Sequence, residues 1–305
     1  MSLSEAVSQR VGRVTDPGRW ELFRAVGSMT MVAPPAGDRI AASLGLRPFS
    51  PSEHTDLFVL SLPPFAGIHL GPEGKLGGEG ADRVAGLWRV LGLDPPSDAD
   101  HLGSLLALYA ELGEAADHTT SDRSRERLDH VRAALLWEHL WPWVPGYLDA
   151  AVEEEAAAEP WVRLTRRVLR RETLLTPGAN ALPLALRAAP KALDEDIDYE
   201  DLLDALTAPV RTGFILTYGD LAVAARSLGL GLRRGERRFA LKAMLEQDAS
   251  ATFNWLSTHA RRWAALHRDR PAVSADPSRW WEERALHTCE IVQILARRAE
   301  DVKPT

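Results

Sequence analysis

The chain has 305 residues, a formal net charge of -7 and 45% apolar residues, which excludes a disordered or collagen-like protein. Acidic residues (43) outnumber basic ones (36), so we expect no nucleic-acid partner held by nonspecific charge. The single cysteine, Cys289, excludes an internal disulfide and any cluster or zinc site built from several thiolates of one chain.

The N-terminus and the apolar runs predict a protein that does not enter a membrane. The first ten residues lack the apolar core of a signal peptide, and no apolar run approaches the roughly 20 residues that span a bilayer. The lone cysteine agrees with a reducing compartment. We therefore expect a cytoplasmic protein without membrane insertion.

Helical periodicity dominates the chain from its first predicted element to its last. Apolar residues recur three and four positions apart, and strand-like alternation is scarce. The pattern predicts a helix opening at Pro17, a short one ending at Gly45, one stopped by Gly92, one capped by Ser97 or Asp98, two within 121–150 joined near Pro142 or Pro145, and others near 158–175, 198–207, 217–228, 235–247, 250–268 and 277–300.

Two segments rich in glycine and proline, 63–80 and 176–190, are predicted to be loops. The second is the better domain boundary. It divides the chain into a helical domain over 1–175, a linker over 176–190 and a helical C-terminal extension over 191–305 that packs on the core.

Charged side chains cluster at two places. Five arginines lie on one face of the helix predicted over 158–175, and seven carboxylates without a base follow at 194–204. The arginine face is either solvated or docked against that acidic segment of the same chain.

Candidate metal ligands are few. Asp98 and His101 have the i, i+3 spacing of a helical metal site, and His139 could complete a helical metal-dependent hydrolase. No HExxH motif occurs, and each histidine alone is better explained as a capping or hydrogen-bonded residue. We therefore expect no metal, no cofactor and no catalysis, with the hydrolase kept as an alternative.

A second alternative is a DNA-binding regulator. Residues 217–245 have the outline of a helix-turn-helix, with Gly229 or Gly231 in the turn and a basic stretch that includes Arg233, Arg234 and Arg237. Apolar residues on the second helix and the acidic chain disfavour this interpretation.

An aromatic cluster suggests a peptide-binding groove. Trp137, Trp141 and Trp143 fall within seven residues, and His139 shares a helix face with Trp143. Helix packing explains any one of these tryptophans. Together, in an acidic protein, they favour a groove that binds a peptide with basic and apolar residues.

Three ordered motifs resemble the TorD/DmsD/NarJ family, all-helical cytoplasmic chaperones for molybdenum-containing oxidoreductases. They are Leu62-Pro63-Pro64-Phe65, the segment Pro96 to Leu102 with its Asp-His-Leu, and Glu138 to Pro145 with its His-Leu-x-x-Trp pattern. The resemblance covers roughly 17–175, and two positions depart from the family, Ala66 and Leu105, where polar or acidic residues are common.

The resemblance implies an all-α, compact helical bundle of the TorD-like type, here with an additional C-terminal helical extension. It implies a non-enzymatic chaperone that binds the leader peptide, often twin-arginine, or the immature apoprotein of the catalytic subunit of such an oxidoreductase before cofactor insertion or export. The sequence leaves the client enzyme and the oligomeric state, including a homodimer, open. We expect the client-binding residues to converge on one groove that combines apolar surface with negative charge, and they are Pro63, Pro64, Phe65, Asp98, Asp100, His101, Glu138, His139, Trp141 and Trp143.

Overall fold

The fold is all-α, as predicted. The computed structural model describes residues 17–178, 181–233, 235–271, 273 and 277–301, and every regular element within them is helical. Phe65 and His101 form an isolated antiparallel bridge. None of the helices in these ranges is long and apolar enough to cross a bilayer.

The helices of the first part of the chain surround the motifs of the candidate site. In chain order they are α1 (Pro17–Met31), α2 (Asp38–Ser43), α3 (Pro51–Thr55), α4 (Ala66–Leu70), α5 (Gly78–Val90), α6 (Leu102–His118), α7 (Asp122–Ala134), α8 (Val144–Glu154) and α9 (Glu159–Leu175). Two of them, α3 and α7, continue into π-helical turns, Asp56–Ser61 and Leu135–Leu140.

The second part of the chain is also helical. Its elements are α10 (Leu184–Arg187), α11 (Tyr199–Leu206), α12 (Pro209–Thr212), α13 (Tyr218–Leu228), α14 (Arg237–Gln247), α15 (Ala249–Arg268) and α16 (Ser278–Asp301). The predicted loops are partly helical: α4 and the start of α5 lie within 63–80, and α10 lies within 176–190. The glycine and proline residues of these segments predict loops because their helix propensity is low. Packing against the rest of the protein nevertheless stabilises helical turns there.

Local sequence explains where several helices begin. Ser50 and Glu53 form a capping box at α3, in which each side chain bonds the other's backbone N–H. Thr217 and Asp220 do the same at α13. These pairs satisfy amides that the first helical turn leaves without partners.

Glycines let α1 and α6 approach each other closely. A Cβ on Gly27 would lie 3.1 Å from the Cα of Gly103, and a Cβ on Gly113 would lie 2.2 Å from the ring of Trp20. The helix pair that carries the Asp-His motif at its start is therefore held by backbone contact and by a buried tryptophan.

A buried carboxylate joins this helix pair to α9. Glu172 is fully buried and accepts hydrogen bonds from Arg19 Nε at 2.8 Å and from the Tyr109 hydroxyl at 2.8 Å. The Arg19 guanidinium also lies over the Trp20 ring at 4.3 Å. Removing one member of such a buried set leaves the others unpaired, so the set fixes the relative position of three helices.

The C-terminal helices pack on the first part of the chain. The Trp281 indole donates to the Pro142 carbonyl at 2.8 Å, and Arg270 donates to the Asp149 carboxylate at 2.6 Å. A single hydrophobic cluster contains residues of both parts, such as Leu106 and Val292. The domain boundaries at 175 and 191 remain a prediction.

Three carboxylates of the acidic segment pair with cations outside α9, and not with the arginine face of that helix. Glu200 pairs with Lys242 and Arg238, Asp204 pairs with Arg238, and Glu195 pairs with Arg298. Glu195, Glu200 and Asp204 are therefore paired with α14 and α16, which follow them in the chain.

Candidate functional site

The Pro-Pro-Phe turn and the Asp-His segment lie side by side. The N–H of Ala66 donates to the Asp100 carbonyl at 2.9 Å, and the N–H of Leu102 donates to the Pro64 carbonyl at 2.8 Å. This pair of backbone bonds fixes Phe65 beside His101. Two of the three predicted motifs are thus brought together by main-chain contact.

The carboxylate of Asp100 points inward and not toward solvent. Asp100 is 5% exposed, and its Oδ2 accepts a hydrogen bond from the N–H of Gly67 at 2.8 Å. A Cβ on Gly67 would lie 3.0 Å from that oxygen and 2.9 Å from the Gly77 carbonyl. Burial raises the pKa of Asp100. Asp100 therefore ties the turn to the segment before α6.

His101 is the N-cap of α6, a position that the sequence analysis gave to Ser97 or Asp98. Its Nδ1 accepts from the N–H of Gly103 at 3.0 Å, and its ring meets that of Phe65 edge-on at 4.8 Å. Burial lowers the pKa of His101 to about 4. A neutral imidazole is required for this role because only the unprotonated nitrogen can accept.

The third motif contacts the segment after the turn through His69, which is not among the predicted site residues. The ring of Trp143 stacks on that of His69 in α4 at 4.9 Å, and the Tyr147 hydroxyl donates to the Leu62 carbonyl at 3.3 Å. Trp143 is itself held by its indole, which donates to the His139 carbonyl at 2.7 Å. The available signal was a histidine in an otherwise apolar and glycine-containing stretch directly after the turn.

Two predicted residues face elsewhere. The Glu138 carboxylate accepts from the N–H of Leu184 at 2.6 Å, and the Trp141 ring lies 6.2 Å from that of Trp137. Trp141 lines a cavity of about 390 Å³ together with Arg166 and Arg170. The three motifs therefore share one neighbourhood, but Glu138 and Trp141 lie outside it.

His139 is the remaining predicted residue of the third motif. It is half-buried, and burial together with the nearby Arg83 charge lowers its pKa to about 4. Its carbonyl supports Trp143. Its contribution to the neighbourhood of the turn is therefore made through its backbone.

The predicted site residues differ in burial, and therefore in whether a partner can contact them directly. Asp100, His101, Pro64 and Trp143 are buried, whereas six predicted residues keep some exposed surface. Those six are Pro63, Phe65, Asp98, Glu138, His139 and Trp141. A partner can touch the second group directly, and the first group shapes the surface from beneath.

The cavity beside the turn has a different charge from the predicted groove. It measures about 530 Å³, and its lining includes Pro63, one carboxylate on Glu236 and three cations on Lys75, Arg237 and Arg238. The difference arises because Asp100 turns inward and because residues from the C-terminal part supply the arginines. Exposed Leu60 and Leu76 add the apolar surface that the motifs predict.

The alternative functions find little support in the described part of the chain. No group of three His, Cys, Asp or Glu side chains there could hold a metal ion. Residues 229–236, of which Arg234 lies outside the described residues, separate α13 from α14, a longer connection than the turn of about 3–4 residues in a helix-turn-helix. The arginines at the start of α14 are also engaged within the protein.

A comparison with protein families finds a match to part of the chain. Residues 51–149 match the model of the nitrate reductase delta subunit family, a segment that contains the Pro-Pro-Phe turn, the Asp-His segment and the His-Leu-x-x-Trp motif. The resemblance to the TorD/DmsD/NarJ type of molybdoenzyme maturation chaperone is thereby confirmed over that segment. No curated protein matches the chain significantly.

Proposed function

We propose that this protein is a maturation chaperone that binds the catalytic subunit of a molybdenum-containing oxidoreductase in the cytoplasm. The observation that carries the proposal is the family match over 51–149, which coincides with the three motifs gathered around the turn. Nitrate reductase is the client type that the name of the family indicates. The protein would hold the leader peptide or the immature apoprotein until the cofactor is inserted.

The surface around Phe65 is the proposed contact for the client. Phe65, Pro63 and Asp98 are partly exposed and lie in or near the two segments that the Phe65–His101 bridge joins. Leu60, which is 68% exposed, extends this surface with apolar area. Exposed apolar side chains next to a rigid turn are typical of a peptide-binding surface, because little entropy is lost when the partner docks.

Buried residues of the motifs would act through the shape of that surface. Asp100 and His101 fix the backbone of the turn and of the α6 start, and Trp143 supports α4 through His69. Glu138, His139 and Trp141, which also keep exposed surface, form a second contact area in the proposal.

A peptide titration tests the contact surface. A leader peptide of a molybdenum-containing oxidoreductase is titrated calorimetrically into the full chain, into Phe65→Ala and into Phe239→Ala, a matched control on α14 that is 52% exposed. Loss of a partly buried aromatic contact should weaken binding about tenfold or more in Phe65→Ala. Equal affinities of both variants and the wild type would move the client contact away from the turn.

A further inference from the structure

The cavity beside the turn brings together segments that are distant in the chain. Its walls include Pro63, the glycine-containing loop with Gly74 and Lys75, and the first residues of α14. Gly74 has a φ of 60°, and a Cβ there would lie 2.6 Å from the Cα of Ala208. Only glycine lets the loop close against the residue before α12, and this closure fixes where Lys75 enters the rim.

Arg237 is the unusual residue of this cavity. Its guanidinium donates to the Leu216 carbonyl at 2.8 Å and to the Gly74 carbonyl at 3.4 Å, and it pairs with no carboxylate of the described residues. Burial lowers its pKa. Arg237 is half-buried. A cation in such a position is normally paired, and Arg237 has no counter-charge among the described residues.

The neighbouring arginine shows the opposite behaviour. Arg238 also lines the cavity, but its guanidinium bonds Glu200 and Asp204, and these bonds raise its pKa. The two residues follow each other in the chain and differ in whether the protein itself supplies an anion.

A buried histidine with no partner lines the same cavity. His69 is 2% exposed, and neither of its ring nitrogens has a hydrogen-bond partner in the described chain. Burial and the Arg237 charge lower its pKa to about 3, so the ring is an uncharged wall beside the Arg237 cation. The stack on Trp143 and the edge contact with Tyr147 fix its orientation.

We propose that this cavity binds an oxyanion, a phosphate or carboxylate group, with Arg237 and Lys75 as its cations and the neutral His69 ring as part of its wall. The positive end of the α14 dipole adds to the attraction, since Gly235 and Glu236 before the helix also line the cavity. Glu236 is exposed and opposes it only at the rim. The inference does not depend on the proposed client, because Arg237 lies outside the family match.

Calorimetric titration of the full chain with inorganic phosphate, pyrophosphate and citrate tests the proposal. Saturable binding to the wild type is expected. Arg237→Gln should lower the affinity about tenfold, because a charge-assisted hydrogen bond is lost. Arg187→Gln is the control and should bind like the wild type, since Arg187 also donates to a backbone carbonyl, that of Leu182, but does not line the cavity.

A second pair of variants covers the case in which Arg237→Gln does not fold. Lys75→Glu reverses an exposed charge at the rim, and Lys191→Glu makes the same change at an exposed position that does not line the cavity. Only Lys75→Glu should weaken binding. Preference for pyrophosphate identifies a phosphate-bearing ligand, and preference for citrate identifies a carboxylate.

Two results would overturn the site. One is the absence of saturable binding of all three anions by the wild type. The other is binding that Arg237→Gln and Lys75→Glu leave unchanged, which would show an adventitious ion only. Capture of the oxidoreductase subunit in the same preparation would leave the proposed function standing in either case.

Discussion

The Oδ2 atom of Asp100 accepts a hydrogen bond from the N–H of Gly67 at 2.8 Å, across 33 residues of chain. This bond closes the Pro-Pro-Phe turn onto the segment before α6. The aspartate of the Asp-His motif therefore stabilises the turn directly. Any effect of Asp100 on a client is expected to pass through the position of Phe65.

Substitution of Asp100 separates the hydrogen bond from the charge. Asp100→Asn keeps an oxygen acceptor for Gly67, whereas Asp100→Ala leaves a buried N–H without a partner and should lower the free energy of unfolding by roughly 1–3 kcal/mol. Urea unfolding of both variants measures this difference. Equal losses in the two variants would contradict a stabilising bond to Gly67.

The raised pKa of Asp100 adds a pH dependence. The native state holds the Asp100 proton more tightly than the unfolded chain does, so the stability linked to it is present in acid and is lost as pH rises through the folded pKa. Asn does not titrate. The stability of Asp100→Asn relative to the wild type should therefore improve from acid to neutral pH.

His101, the N-cap of α6, should make the free energy of unfolding sensitive to acid. Burial holds the pKa of His101 at about 4 in the native state, below its ordinary value of 6.5, so the unfolded chain binds the proton more readily between these values. Stability linked to His101 is complete above pH 6.5 and falls as pH drops toward 4.

His101→Asn tests this contribution. Asn keeps a side-chain acceptor at the N-cap of α6 and does not titrate, so the slope of the unfolding free energy against pH should decrease by up to ~1.4 kcal/mol per pH unit. Urea unfolding at several pH values measures the slope, and His101→Ala serves as the variant without a cap. A slope that equals that of the wild type would contradict the assignment.

Two glycine substitutions test the packing of α6 on α1. Gly113→Ala places a methyl group 2.2 Å from the Trp20 ring and should cost about 1–3 kcal/mol of unfolding free energy through overpacking. Gly86→Ala is the matched control within α5, where a Cβ meets nothing within 4 Å, and should stabilise by about 0.4–1 kcal/mol. Equal effects of the two substitutions would contradict the close approach.

Truncation tests the role of the C-terminal part. Residues 1–190 alone should give a poorly soluble protein, because Trp281 and the arginine that binds Asp149 would be removed from the first part. Solubility and thermal unfolding of the truncated chain are the measurements. A soluble, cooperatively folding 1–190 protein that binds the leader peptide would show that the extension is a separate module.

The long helices were predictable from sequence. The windows 158–175, 217–228 and 250–268 match α9, α13 and α15 within a residue or two, because each combines a 3.6-residue apolar period with a capping residue or, in α9, a proline in the first turn. The short α4 was missed. Its sequence, Ala66 to Leu70, is too short to show a period, and it is held in place by the turn before it and by Trp143.

The site was predictable only in its parts. The three motifs identified the Phe65, His101 and Trp143 segments, but nothing local indicated that Asp100 would turn inward to Gly67. The positive charge of the cavity beside the turn could not be predicted from local sequence either. Arg237 reaches the cavity from a helix far along the chain, and only the packing of α14 places it there.

The most direct test of the account is identification of the protein that binds the chain in its native host. Full-length chain is captured under mild conditions, and bound proteins are identified by mass spectrometry beside a Phe65→Ala capture and a Phe239→Ala control. The account predicts enrichment of the catalytic subunit of a molybdenum-containing oxidoreductase with wild type and Phe239→Ala, and its loss with Phe65→Ala. Absence of any such subunit from the wild-type capture would contradict it.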